Sequence, residues 1–219
     1  MNQEKWSAVD DYLNSHCILS DEPLEHALQT SRAANLPPIS VTPAQGKFLH
    51  VTALAMNAKK ILEIGTLGAY STIWLARALP DNGTVTTLEY NTKHADIARA
   101  NLAHAGLSHK VDLRLGRALD LLPQLQSSAP FDLFFIDADK ENNAHYFAWA
   151  LKLARKGSLI IVDNVVRKGA ITDPNSADPD VQGTQKFFQA LSKEPRVTAT
   201  TLQTVGAKGY DGMTLAVVL

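Results

Sequence analysis

From Lys60 onward the hydrophobic positions change rhythm repeatedly. Short apolar runs rich in β-branched residues predict strands at residues 61–64, 85–89, 111–115, 133–136 and 159–162. The stretches between them repeat apolar residues every three or four positions and predict helices near 70–79, 93–105, 118–125 and 144–153. Nearly continuous apolar strands separated by helices are those of a parallel sheet covered on both faces. A further helix near 182–191 leads into two late strands, 197–202 and 213–219. The glycine-rich VGAKGYDG between them suits a turn, so these two strands are expected to form an antiparallel pair at the sheet edge.

Up to about residue 58 the pattern is helical, with apolar positions at Trp6, Val9, Tyr12 and Leu13, then Leu24 and Leu28, then Phe48, Leu49 and Leu54. Thr42-Pro43-Ala44-Gln45 reads as a capping box with proline at the first helical position. The expectation is one α/β domain over residues 1–219, with helices in 1–58 packing on its core. Residues 172–180, TDPNSADPD, are polar and broken by Pro174 and Pro179, and predict a surface loop.

Composition narrows the function classes. Hydrophobic residues at 45% and charged residues at 20% are those of a folded globular chain. A net charge of −1 gives no general attraction to nucleic acid or anionic lipid, so neither is an expected partner. The first residues lack a basic start and an apolar secretory stretch, and no run reaches the ~20 apolar residues of a membrane span, so a cytoplasmic location is expected. Cys17, the single cysteine, reads as a buried or half-buried packing residue rather than a nucleophile. The seven histidines show no close pair at metal-ligand spacing, so any metal site is expected to be built from oxygen.

Two clusters carry candidate chemistry. The first predicted strand ends in EIGTLGAYS, residues 63–71, where Gly65 and Gly68 permit close backbone approach and the next helix offers free N–H groups to an anion. The second strand ends at Glu89, placed to accept hydrogen bonds from ribose hydroxyls. A nucleoside is implied, but Gly65-Thr66-Leu67-Gly68 lacks the G-x-G-x-x-G spacing of nicotinamide enzymes. FFIDADK puts Asp137, Asp139 and Lys140 at the end of the fourth strand, and IIVDN puts Asp163 and Asn164 at the end of the fifth. If those strands are neighbours, the two carboxylates converge, and with the amide they form a donor set for a hard divalent ion. As helix caps the same acids would be purely structural, and Lys140 is either a proton acceptor or a plain ion-pair partner of Asp137 or Asp139.

With both clusters in view, EIGTLGAYSTIWLAR, FIDADK, DNVVR and KGYDGMTLA together make the chain resemble the cation-dependent class I O-methyltransferases, the group of the caffeoyl-CoA and catechol enzymes, over residues 38–219. Bacterial members of the caffeoyl-CoA-like branch look most similar. The resemblance implies a Rossmann-like seven-stranded sheet with a reversed last strand, the cofactor S-adenosylmethionine, and a divalent cation: magnesium first, manganese or calcium otherwise. It implies cofactor contacts at Val41, Glu63, Gly65, Thr66, Ser71, Glu89, Ala118 and Asp137. The metal positions are Asp137, Asp163 and Asn164, with Lys140 and Asp137 catalytic. The implied reaction methylates a hydroxyl of a catechol-like or other vicinal-diol phenol, and the implied assembly is a homodimer.

Ala69 stands where many relatives have glycine, so a slight backbone difference is expected there, with Gly68 compensating. Plant enzymes carry aromatic residues near Asn143 and Arg167, positions that shape the acceptor pocket. Trp6, Tyr12, Arg167, Lys168 and residues 172–180 are candidate pocket walls. The rival readings are a metal-free methyltransferase, a nonenzymatic S-adenosylmethionine-binding protein, and a methyltransferase acting on a modified nucleoside. Lys140 and the intact acid set weigh against the first two.

Overall fold

The structure is a computed structural model describing residues 2–19 and 21–219, so Met1 and Ser20 of the expected domain lie outside the described residues. Seven strands form one sheet in the order β3-β2-β1-β4-β5-β7-β6. They are β1 (Lys60–Ile64), β2 (Thr84–Glu89), β3 (Val111–Leu115), β4 (Phe131–Ile136), β5 (Ala154–Asp163), β6 (Val197–Gly206) and β7 (Gly209–Val218). β1 to β5 pair in parallel, and β7 alone is reversed, antiparallel to both β5 and β6. The last strand thus slots inside the sheet and leaves β6 at the edge. Order reverses between β1 and β4, and the ends of those two strands carry the two candidate clusters.

Helices α1 (Gln3–Cys17), α2 (Glu22–Ala33), α3 (Pro43–Ala55), α4 (Tyr70–Ala78), α5 (Thr92–His104), α6 (Ala118–Leu121), α7 (Asn143–Leu153) and α8 (Pro179–Leu191) surround the sheet. Side chains alternate along each strand. Ile61, Val85, Leu133, Phe135 and Ile161 therefore pack with Leu24, Leu49, Ile73 and Leu102 of α2 to α5. Leu62, Ile64, Leu88, Phe134, Ile136 and Ile160 pack on the opposite face with Phe147, Leu153 and Phe187 of α7 and α8. Each fully buried side chain of this size stabilises the fold by about 1.5–3 kcal/mol. The same alternation aims Glu63, between Leu62 and Ile64, at the start of α4.

Several elements differ from the sequence reading. VGAKGYDG is mostly strand: pairing runs to Gly206↔Gly209, so only Ala207 and Lys208 form the tip. Gly209, at φ +93°, supports a tight two-residue hairpin rather than a long loop. α8 starts at Pro179 because the Asp178 carboxylate accepts from the Asp180 amide and proline suits the first turn. α6 passes at once into a 3₁₀ stretch through Ser128, since Pro123 offers no N–H to continue an α-helix.

α1 buries none of its residues, although its apolar positions repeat at helical spacing. It is tethered to the β6–β7 tip: Gln3 donates to the Gly206 and Ala207 carbonyls, and the Ala207 amide donates to Asp10. Cys17, at the end of this uncovered helix, is exposed rather than packed. The histidines are not all scattered either. His26 and His104 stack with ring centroids 3.7 Å apart beside Glu22, a pairing made by the docking of α2 on α5 and invisible to local spacing. Among the described residues, no helix is long and apolar enough to cross a membrane.

Candidate active site

The β1–α4 loop is held from both sides. The Glu63 carboxylate is fully buried and accepts from Ser71 Oγ (2.6 Å), Thr72 Oγ1 (2.5 Å) and Thr87 Oγ1 (2.6 Å). Burial pushes its pKa up to about 7; the three hydroxyl donors oppose that rise, and the nearby Asp137 charge adds to it. Glu89 Oε2 accepts from the Thr66 and Leu67 amides at 3.2 and 2.8 Å, and Oε1 from the Asn91 amide at 2.8 Å. Oε2 is thus doubly engaged, and the second lone-pair direction of Oε1 leaves Glu89 capacity for one ligand hydroxyl. α4 starts without a side-chain cap, so its first amides are available to an anionic group.

Gly65 sits at φ +98°, and a Cβ there would lie 2.3 Å from the Asp137 carbonyl oxygen. Glycine therefore lets this loop touch the end of β4. Gly68 does not compensate for Ala69 as expected. Ala69 itself takes the left-handed conformation (φ +66°), which costs about 1–2 kcal/mol. Gly68 serves packing instead, since a Cβ there would lie 2.0 Å from Ser31 Oγ.

β4 and β5 are neighbours, and the register pair Ile136↔Val162 brings the next residues, Asp137 and Asp163, side by side. Lys140 Nζ donates to Asp137 Oδ1 at 2.6 Å with its side chain nearly buried. Asp163 Oδ1 accepts from the Asn164 amide (2.8 Å), and Asp163 Oδ2 from Gln45 Nε2 (3.4 Å). Burial first, and then the Asp137 charge, push the Asp163 carboxyl up to about 7, with Lys140 opposing. Asn164 adopts φ +56°, a conformation asparagine tolerates.

A cavity of about 870 Å³ lies over the loop, with Gly65, Thr66, Tyr70, Ser71, Glu89 and Ala118 on its wall. A second, of about 580 Å³, lies over the β6–β7 tip, with Asp163, Lys168 and Lys208 on its wall. Ile39, Val41, Asp137 and Asn164 border both. Lys140 lies on the wall of the first. Glu63, expected to touch cofactor, is instead below the loop, with both carboxylate oxygens engaged by hydroxyls.

The expected pocket walls are only partly realised. Arg167 borders the first cavity, bonded to Asp180 at 2.9 Å, and Lys168 borders the second. Of residues 172–180 only Asp180 reaches a wall, because Gln185 of α8 ties the segment back through the Ile171 and Asp173 carbonyls. Trp6 and Tyr12 border neither cavity; α1 touches β6 and α3, and of its residues Asp10 lines the second cavity. Asn143 is wholly buried behind the wall.

The sequence reading missed Gln45, whose helix-capping role hid its contact with Asp163. It also missed Tyr146, which donates to Asp139 Oδ1 at 2.5 Å and lines the first cavity. Burial and the Asp139 carboxylate raise the Tyr146 pKa, so the phenol stays a neutral donor. Asp139 lies in extended backbone before a 3₁₀ turn, Lys140–Asn142, that leads into α7, so the pairing depends on that turn and not on helical spacing.

A family model described as O-methyltransferase matches residues 15–219. A catechol O-methyltransferase of Niastella koreensis is 50% identical over 220 residues, covering 100% of both chains. A catechol O-methyltransferase of Mycobacterium tuberculosis is 50% identical over 210 residues, covering 96% of this chain and 94% of that one. An O-methyltransferase of Bacillus cereus solved in complex with SAH superposes with a TM-score of 0.98 at 55% identity over the full length of both. An O-methyltransferase of Streptomyces achromogenes solved in complex with SAM gives 0.97 at 50% identity, covering 100% and 99%. The protein that unites this loop, this acid pair and this sheet order is a member of the O-methyltransferase family.

Proposed function

We propose that the protein transfers a methyl group from S-adenosylmethionine to one hydroxyl of a catechol-like vicinal diol, with a divalent cation held by Asp137, Asp163 and Asn164. The observation that carries this reading is the junction of the two cavities at Val41, Asp137 and Asn164. A donor molecule in the first cavity and an acceptor in the second would meet beside the acid cluster. The catechol activity named for two 50%-identical relatives supports that acceptor class.

The residues fit both groups. Two adjacent carboxylates and an amide are an oxygen-rich set suited to magnesium, with manganese or calcium as alternatives. Burial raises the Asp163 pKa first, and the neighbouring Asp137 charge raises it further against the opposing Lys140. Gly65, Thr66 and Ser71, with Glu89 at one end and Ala118 opposite, make the cradle for a nucleoside with an anionic tail. When bound, S-adenosylmethionine supplies a methyl group on a sulfonium, and the cation supplies positive charge that makes a nearby hydroxyl more acidic.

The rest is the work of the chain. Glu89 would accept from a ribose hydroxyl through Oε1, and the free amides at the start of α4 would take the carboxylate. Glu63 locks Ser71 and Thr72 in place from below. Lys140, fixed by its bond to Asp137, takes or orients the proton of the reacting hydroxyl. Holding oxygen, carbon and sulfur in line supplies about 7 kcal/mol or more of the rate enhancement.

The test is methylation of catechol with S-adenosylmethionine and magnesium. A monomethyl ether should form, and both chelation and a folded Asp163→Ala protein should abolish it. Unchanged turnover after chelation removes the cation from the reading. Exposure of Val9, Tyr12 and Leu13 on α1 supports pairing with a second copy. A sedimentation profile that stays monomeric across concentrations would exclude it.

A further inference from the structure

We propose a second metal site, remote from the acid cluster and independent of the reading above, in which Glu22, His26 and His104 bind a borderline divalent ion such as zinc. Glu22 opens α2 and His26 follows one turn later on the same face. His104 closes α5. One ligand atom from each lies within 4.8 Å of the other two. Donors around a four-coordinate zinc ion, each at about 2.0–2.1 Å, stand about 3.4 Å apart, so the donors must draw in by about 1 Å and an imidazole must turn until both ring planes contain the ion. His26 is half-buried and the other two are exposed at helix ends, which leaves room for that rotation.

The present contacts already hold the donors together. His104 Nε2 lies 2.8 and 2.7 Å from the two Glu22 carboxylate oxygens. The His26 and His104 rings stack at 3.7 Å with 13° between their planes, so one imidazole turns out of the stack for both to aim a lone pair at one ion. Two imidazole nitrogens and one carboxylate favour zinc, cobalt, nickel or copper over magnesium. The all-oxygen cluster at Asp137 and Asp163 has the reverse preference, so the two sites sort ions by chemistry. Three protein ligands leave a fourth position for water.

The location gives the site a structural role. Farther along the same two helices, Thr30 donates to Asn101 Oδ1 at 2.7 Å, and Asn101 Nδ2 donates to the Gly68 carbonyl at 2.9 Å. An ion joining α2 to α5 therefore braces the two helices that back the β1–α4 loop.

Calorimetric titration of zinc into the untagged protein, with magnesium in excess to fill the acid cluster, tests this directly. One equivalent should bind. Losing even an outer partner of a metal ligand costs about 10–100-fold in affinity, so His26→Ala and His104→Ala should each weaken binding at least that much. Glu22→Gln, at an exposed position, should weaken it too, and Asp163→Ala should leave it intact. Copper titrated in place of zinc should give an electron paramagnetic resonance spectrum with coupling to two imidazole nitrogens. Magnesium-dependent methylation by the histidine variants should match wild type, which verifies their fold. The proposal is overturned if zinc does not bind under excess magnesium, if both histidine variants bind as tightly as wild type, or if Asp163→Ala removes the uptake.

Discussion

Replacing Glu63 by glutamine should make the protein more stable above neutral pH while leaving cofactor affinity nearly unchanged. The carboxyl is wholly buried, and its pKa rises from 4.5 to about 7 in the folded chain. The folded state therefore holds this proton more tightly than the unfolded state. Its stabilising contribution is complete below about pH 4.5, is lost as pH rises to about 7, and is constant beyond. That interval, at about 1.4 kcal/mol for each pH unit, amounts to roughly 3 kcal/mol. Glutamine has the same shape and no charge. Its carbonyl oxygen can accept from Thr72 and Thr87 in place of Oε2, and its amide can donate to Ser71 in place of Oε1.

Urea unfolding of both proteins from pH 5 to 8.5, at fixed ionic strength and without divalent ions, isolates the effect. Asp163 titrates in the same window, so the informative quantity is the difference between the two curves. Wild type should lose roughly 2.5 kcal/mol more than Glu63→Gln across the range. Parallel curves would refute the assignment of the pKa rise to burial. Cofactor affinity falling by about 100-fold, roughly 2.7 kcal/mol, would show that Glu63 touches the cofactor and does not merely brace Ser71 and Thr72.

Lys140→Met should lower kcat by about 10²–10⁴-fold with the KM for S-adenosylmethionine little changed, because a proton acceptor is lost and the cradle is not; steady-state kinetics showing near-normal kcat would reduce Lys140 to an ion-pair partner. Gly65→Ala should destabilise the fold by about 2–4 kcal/mol in urea unfolding, from a positive φ and a 2.3 Å clash with the Asp137 carbonyl; a wild-type midpoint would mean that β1 and β4 can separate freely. Because Asp163 holds its proton up to about pH 7, cation and proton compete, so the magnesium concentration for half-maximal activity should rise as pH falls below 7, approaching about tenfold per pH unit; an equal requirement at pH 6 and 8 would contradict that competition.

The parts of the site carried by strand ends were legible in the sequence because register in a parallel sheet follows from the hydrophobic pattern. Once residues 133–136 and 159–162 read as neighbouring buried strands, Asp137 and Asp163 had to converge. Gly65 was legible for a similar reason, since a glycine at a strand-to-helix turn signals close backbone approach. Glu63 was legible as a site residue but not in role: its burial depends on which face of β1 meets α4, and that is set by packing across the sheet. The meeting of His26 with His104, the uncovered face of α1 and the length of the β6–β7 hairpin all depend on tertiary docking, which local periodicity does not encode.

Gln45 joins two regions that would otherwise be independent. Its side-chain oxygen accepts from the Thr42 amide at 3.0 Å to complete the start of α3, and its nitrogen reaches Asp163 Oδ2. The segment carrying Ile39 and Val41, which borders both cavities, leads directly into that helix start. If Asp163 holds a cation as proposed, the placement of this segment and the affinity for that cation are two readouts of one coupled equilibrium. Reciprocity then requires that the free energy by which such an ion steadies or loosens residues 38–45 equals that by which they strengthen or weaken its binding.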